Sequence, residues 1–123
     1  MVGIDTKIKR GSGELAILAL LDREPLHGYE ISKRIAQATG GVLQFNLASL
    51  YPLLYRLEKR GWVKGKWEEA PSGRQRRYYR LTPKGKKQLA PLREEWGLFF
   101  QALHRIAGVA PRDRRAEPRS AGM

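Results

Sequence analysis

Leu50, Leu53, Leu54 and Leu57 recur at i, i+3, i+4 and i+7 within NLASLYPLLYRLEKRG, and Gly61 closes the run. That spacing lines four leucines along one stripe of a helix, which has to be buried against other elements. The stretch behind it, WVKGKWEEAPSGRQRRYYRLT, changes period. Val63, Trp67, Tyr79 and Leu81 suit two strands around the turn signal Pro71-Ser72-Gly73. A buried helix followed at once by a hairpin restricts the chain to small mixed folds in which the hairpin extends from a helical core. Residues 62 to 82 hold six cationic side chains against two carboxylates, a net of +4, so the hairpin reads as a basic wing.

Two shorter helices come first. Glu14, Leu15, Ile17, Leu18 and Leu21 form a helical pattern over 14 to 21 that Asp22 to Pro25 break. A second helix opens at His27 or Gly28, carries Glu30 in its first turn, turns Ile31, Ile35 and Ala36 inward, and stops at Gly40-Gly41. The third has two competing starts. Pro52 lacks a backbone donor and disfavours helical geometry at Tyr51, which argues for Ser49 as the cap with Pro52 in the first turn. Asn46 is the alternative cap, and it leaves Pro52 inside the helix.

Thr82 as cap and Pro83 at the first position open a fourth helix. Along it Leu89, Leu92, Trp96, Phe99, Leu103 and Ile106 alternate spacings of three and four, the seam of a helix that packs on another helix. Pro91 bends it locally. A helix over 84 to 108 extends about 37 Å, too far for a small trihelical core to cover. Its stripe is therefore expected to meet its own copy in a homodimer. Pro111 to Met123 is rich in Pro, Arg, Ala and Gly without an apolar period, and is expected to be disordered. The expected fold is mainly α with a small β-hairpin. Residues 1–83 make a winged helix-turn-helix DNA-binding domain, 84–110 a C-terminal dimerisation helix, and 111–123 a disordered basic tail.

With 123 residues the chain can bury one core but hardly two. Its 24 Lys and Arg against 12 Asp and Glu leave a formal charge of +12, which draws a protein toward polyanions without choosing among them. It has no cysteine, so the fold rests on packing, and a reducing compartment suits it. The apolar run LAILALL is far shorter than the roughly 20 residues that span a bilayer. Asp22, Arg23 and Glu24 stand where a signal peptide would be cleaved. These features point to a cytoplasmic protein with no membrane partner.

Catalytic chemistry finds little support. His27 and His104 lack metal-ligand spacing, and the adjacent acids Glu68-Glu69 and Glu94-Glu95 point to different sides of their elements. Neither a phosphate loop nor a nucleophile motif occurs. No enzyme activity, metal or cofactor is expected.

The third helix, with its leucines inward, presents Ala48, Pro52, Tyr55, Arg56 and Lys59, with Ser49 and Tyr51 at the margins. Hydroxyls and cations such as Arg56 and Lys59 suit phosphate, while Asn46, Ala48 and Ser49 near the helix start can reach base edges in the major groove. Arg74, Arg76 and Arg77 add phosphate contacts from the wing, and Lys33 joins the candidates from the second helix.

GSGELAILALLDREPLHGYEISKRI, ASLYPLLYRLEKRGWVKGKW and RRYYRLTPKGKKQL, in this order and spacing, resemble the PadR family of bacterial transcriptional regulators over roughly residues 10 to 108. PLHGYEI, SLYPLLYRLE followed by GW, and RRYYRLTPKG are its most specific pieces. The resemblance implies a winged helix-turn-helix repressor that binds double-stranded DNA as a dimer, with DNA contacts at Tyr29, Ser49, Tyr51 and basic residues of the third helix and wing. Many relatives carry Gly where Ala48 stands. The single C-terminal helix is similar to that of the short subfamily, in which multidrug-binding members place a Trp near the dimer axis to stack planar aromatic effectors. Trp96 is the matching residue, and ordinary interface packing with Phe99 is its alternative role.

Two rival readings use the same features differently. A nonspecific architectural protein would coat any duplex through charge alone, and its affinity would follow salt rather than sequence. A protein-interaction adaptor would use the winged helix only as a scaffold.

Overall fold

The computed structural model describes residues 6–109, with side chains from Arg10 onward. The segment 111–123, expected to be disordered, lies outside the described residues. Four helices and a three-stranded antiparallel sheet follow one another as α1 (Thr6–Leu21), β1 (Leu26–His27), α2 (Gly28–Ala38), α3 (Leu47–Lys59), β2 (Val63–Glu69), β3 (Gln75–Leu81) and α4 (Pro83–Ala107). Two compact units divide the chain, the first ending at Leu92 and the second beginning at Arg93.

In the first unit the apolar stripes converge. Ile17, Leu18 and Leu21 of α1, Ile31 and Ile35 of α2, and the four leucines of α3 form one buried cluster with Phe45, Val63, Tyr79 and Leu89. Helix α1 begins at Thr6 rather than at residue 14. Gly11 and Gly13 disfavour a helix locally, and tertiary packing overrides them, since Gly13 is buried.

The third helix is capped by Asn46, whose Oδ1 accepts the Ser49 N–H at 2.8 Å, and Pro52 lies inside it. Pro52 removes the donor that would meet the Ala48 carbonyl. Both residues are exposed, so solvent can satisfy that oxygen. Ser32 Oγ donates to the Phe45 carbonyl and holds the loop between α2 and α3.

The hairpin forms around Pro71-Ser72-Gly73, with Ala70 N–H bonded to Arg74 O at 2.8 Å and Gly73 at φ 88°. Its register pairs Val63 with Leu81 and Trp67 with Arg77. The wing is a three-stranded sheet rather than a bare hairpin, because β1 adds itself to β3 through Leu26 with Tyr79 and His27 with Tyr78. Thr82 Oγ1 accepts the Gly85 N–H at 3.0 Å and donates to Gly61 O at 2.6 Å, tying the start of α4 to the turn that ends α3. Lys86 Nζ reaches Asp22 Oδ1 at 2.7 Å.

Leu89, expected in a dimer seam, is 3 % exposed in the core of the first unit, and Leu92 packs against that core. The first turns of α4 thus complete the helix-turn-helix unit. In the second unit Trp96 is half-buried, while Leu98, Phe99, Phe100, Leu103 and Ile106 are exposed.

Candidate nucleic-acid interface

The candidate interface is built around the start of α2. His27 is its N-cap: Nδ1 accepts the Glu30 N–H at 3.3 Å, which requires that nitrogen to be unprotonated. Burial and the nearby Arg76 cation lower the His27 pKa from its ordinary value, against a smaller opposite effect of Glu30. The imidazole stacks at 6.4 Å on Tyr29 and meets Tyr78 edge-on at 5.3 Å. Tyr29, 53 % exposed, also faces the Arg76 guanidinium at 6.0 Å.

Tyr51 joins α3 to this surface. A Cβ at Gly28 would stand 2.9 Å from its hydroxyl oxygen, so the phenol passes α2 where only glycine leaves room. Its ring is still 44 % exposed. Lys33, Asn46 and Ser49 are exposed. Tyr29, Lys33 and Asn46 line a cleft of 470 Å³ with Ser32, Ala36, Gln44 and Phe45. Because the carboxamide oxygen of Asn46 is held by its own helix, the amide NH₂ is the group it can offer a base or phosphate.

The basic residues divide into two kinds. Lys33 and Arg74 are exposed and stand in no ion pair among the described residues. Arg56 lies 3.8 Å from Glu14, which also takes Arg60 at 3.2 Å, and Lys59 lies 5.6 Å over the Tyr55 ring. Arg77 is bound to Glu58 at 2.7 Å. Arg80 is bound to Glu68 at 2.6 Å and holds that carboxyl below its ordinary range. Two of the wing's six cations therefore already have a carboxylate counter-charge.

Sequence reasoning placed Trp67 in a strand but not among the site residues, and it passed over the capping role of His27. Trp67 shares the strand parity of Val63, a signal that does place it on the core-facing side of β2. The cap left no comparable mark, since histidine is an uncommon capping residue.

In the second unit Trp96 lies 5.8 Å from Phe99 at a near-perpendicular angle and 5.8 Å from Phe100. Among the described residues no helix is long and apolar enough to cross a membrane.

Comparison with known proteins agrees with this architecture. A transcriptional regulator from Clostridium thermocellum superposes with a TM-score of 0.75 at 35 % identity, covering 85 % of this chain and 98 % of that one. A PadR-like transcriptional regulator from Bacillus cereus gives 0.73 at 28 % identity over 85 % of this chain and all of that one, 100 %. An uncharacterised protein of Lysinibacillus sphaericus is 36 % identical over 107 residues, 81 % of this chain and 98 % of that protein. Residues 17–91, from the end of α1 to the first turns of α4, match the transcriptional regulator PadR-like family. The chain belongs to that family, whose members are DNA-binding transcriptional regulators and not enzymes.

Proposed function

We propose that this regulator is a cytoplasmic homodimer that represses transcription at an inverted-repeat operator, reading bases with α3 and holding the adjacent backbone with the wing. One observation carries the reading: Tyr29, Lys33, Asn46, Ser49 and Tyr51 all lie exposed on α2 and the start of α3, where hydroxyls, a cation and a carboxamide NH₂ suit phosphates and base edges. Arg74 and Arg76 serve the phosphates from the wing. Arg56 and Lys59 serve them from the later turns of α3.

Homodimerisation falls to the second half of α4, where Phe99, Leu103 and Ile106 keep an apolar stripe exposed that water disfavours. A two-fold axis there presents two reading helices to two half-sites of opposite direction. Trp96, edge-on to Phe99, is the residue on which a small planar aromatic effector would stack. Such an effector releases the operator only by binding DNA-competent and DNA-incompetent dimers unequally.

Selection from a pool of random duplexes at moderate salt tests the reading. Enrichment of an inverted repeat supports it. Equal recovery of unrelated duplexes would favour the architectural alternative, which the net charge of +12 also suits. Retention of no duplex at any salt would leave the adaptor reading.

A further inference from the structure

The sheet face that buries Val63 and Tyr79 runs on toward the wing tip. Strand alternation brings Trp67, Gln75 and Arg77 to the same side. Val63 and Trp67 are about 13 Å apart along the strand. The indole lies outside the buried cluster and is 61 % exposed. Trp67 lines a cleft of 370 Å³ between the wing and α3 with Tyr51, Gln75, Arg76, Arg77 and Tyr79. Arg77, its cross-strand neighbour, is turned to Glu58, whereas Arg76 faces the Tyr29 ring and no carboxylate among the described residues.

The cleft thus has a flat apolar wall and, on its rim, an uncompensated cation, since Arg76 stands in register with Glu68 and extends toward the other face of the sheet. A DNA strand shows the complementary alternation, with an apolar deoxyribose face followed by an anionic phosphate. A second copy of this chain would bring another +12 toward the same cations, which electrostatics disfavours.

We propose that this cleft seats one sugar–phosphate strand of duplex DNA, with the Trp67 indole against a deoxyribose and the Arg76 guanidinium on the adjoining phosphate. The proposal rests on the DNA-binding reading and adds a wing residue that gives affinity without charge. Losing roughly 50 Å² of buried apolar surface weakens binding about tenfold, and an indole releases no counterion.

The test uses the full-length protein with the duplex enriched from the random pool and with an unrelated mixed-sequence duplex at low salt. Binding is titrated across salt for the parent, Trp67→Phe and Trp67→Ala, and tryptophan emission is followed throughout. The expected result is a weakening of about tenfold in Trp67→Ala on both duplexes, with most of the affinity kept in Trp67→Phe and parallel salt slopes. The parent's emission should change on adding DNA, and Trp67→Phe should lose most of that change. Thermal unfolding of the variants should match the parent, because the indole is exposed. If the parent binds DNA while Trp67→Ala binds equally well, or Trp67→Phe keeps the full emission change, the cleft does not seat the strand. An emission change that follows protein concentration without DNA, and that Trp67→Phe abolishes, would assign the cleft to a second copy and overturn the proposal. Failure of the parent to bind either duplex would instead overturn the DNA-binding reading itself.

Discussion

Arg77 Nη2 lies 2.7 Å from Glu58 Oε2, and the same oxygen accepts the Gly65 N–H at 3.2 Å. One carboxylate of α3 thereby holds both strands of the wing. The guanidinium also lies 5.7 Å over the Tyr79 ring, so Arg77 is fixed by its neighbours before any DNA arrives. Its charge is already matched, which sets it apart from Arg74 at the exposed tip.

The two arginines should therefore fail in different ways. Arg74→Ala is expected to lower the dependence of log affinity on log salt by about one unit, as for one lost phosphate contact. Arg77→Ala should leave that slope near the parent's and show its effect as a small loss of stability, about 1 kcal/mol or less for a part-exposed pair. Salt titrations of DNA binding beside thermal melts separate the two outcomes. A full unit of slope lost in Arg77→Ala would mean that Arg77 leaves Glu58 to meet phosphate.

His27 makes the start of α2 sensitive to acid. Its folded pKa is lowered by burial first and by Arg76 second, so the unfolded chain binds this proton more readily than the folded one. The sign follows: stability is complete above the ordinary value of 6.5 and is lost as the pH falls through the lower folded value. Protonation also removes the acceptor for the Glu30 N–H. His27→Asn keeps a cap and cannot titrate. Chemical denaturation at about pH 7.5 and about pH 5 should show a smaller drop for His27→Asn than for the parent, and equal drops would exonerate His27.

Gly85 anchors the first turn of α4 against the end of α3. A Cβ there would fall 2.1 Å from the Trp62 carbonyl oxygen, a backbone atom that also accepts the Thr82 N–H at 3.0 Å. Since neither side can yield by a rotamer change, Gly85→Ala should cost about 2 to 3 kcal/mol. The melting temperature, followed by circular dichroism, should drop by roughly 10 °C or more. An unchanged melting temperature would contradict the packing described at this turn.

Leu103 and Ile106 test the proposed dimer without touching the core. Ile106 is 87 % exposed, so replacing it should leave the helix-turn-helix unit folded. The double variant Leu103→Glu, Ile106→Glu places like charges in an apolar seam and should sediment as a monomer, with DNA binding weakened accordingly. Leu89→Glu makes the informative contrast, because Leu89 is a core residue and its replacement should unfold the first unit. Sedimentation of the double variant at the parent's rate would remove the second half of α4 as the interface.

Local signals in the sequence were enough for much of this fold. The period of Leu50, Leu53, Leu54 and Leu57, the stop at Gly61, the turn at Pro71-Ser72-Gly73 and the Thr82-Pro83 helix start each act within a few residues of themselves. Tertiary structure alone decided the rest. Leu26-His27 is too short to show alternation, and becomes a strand because Tyr78 and Tyr79 come to lie beside it. Asn46 prevails over Ser49 because its side chain accepts the Ser49 N–H, and Pro52 inside the helix lies on an exposed face where solvent can meet the Ala48 carbonyl. A regular apolar spacing says that Leu89 and Ile106 need cover but not whose, and the core took Leu89. The basic count of the wing likewise could not show that Glu58 and Glu68 hold Arg77 and Arg80, since ion pairing depends on distances that only the folded chain creates.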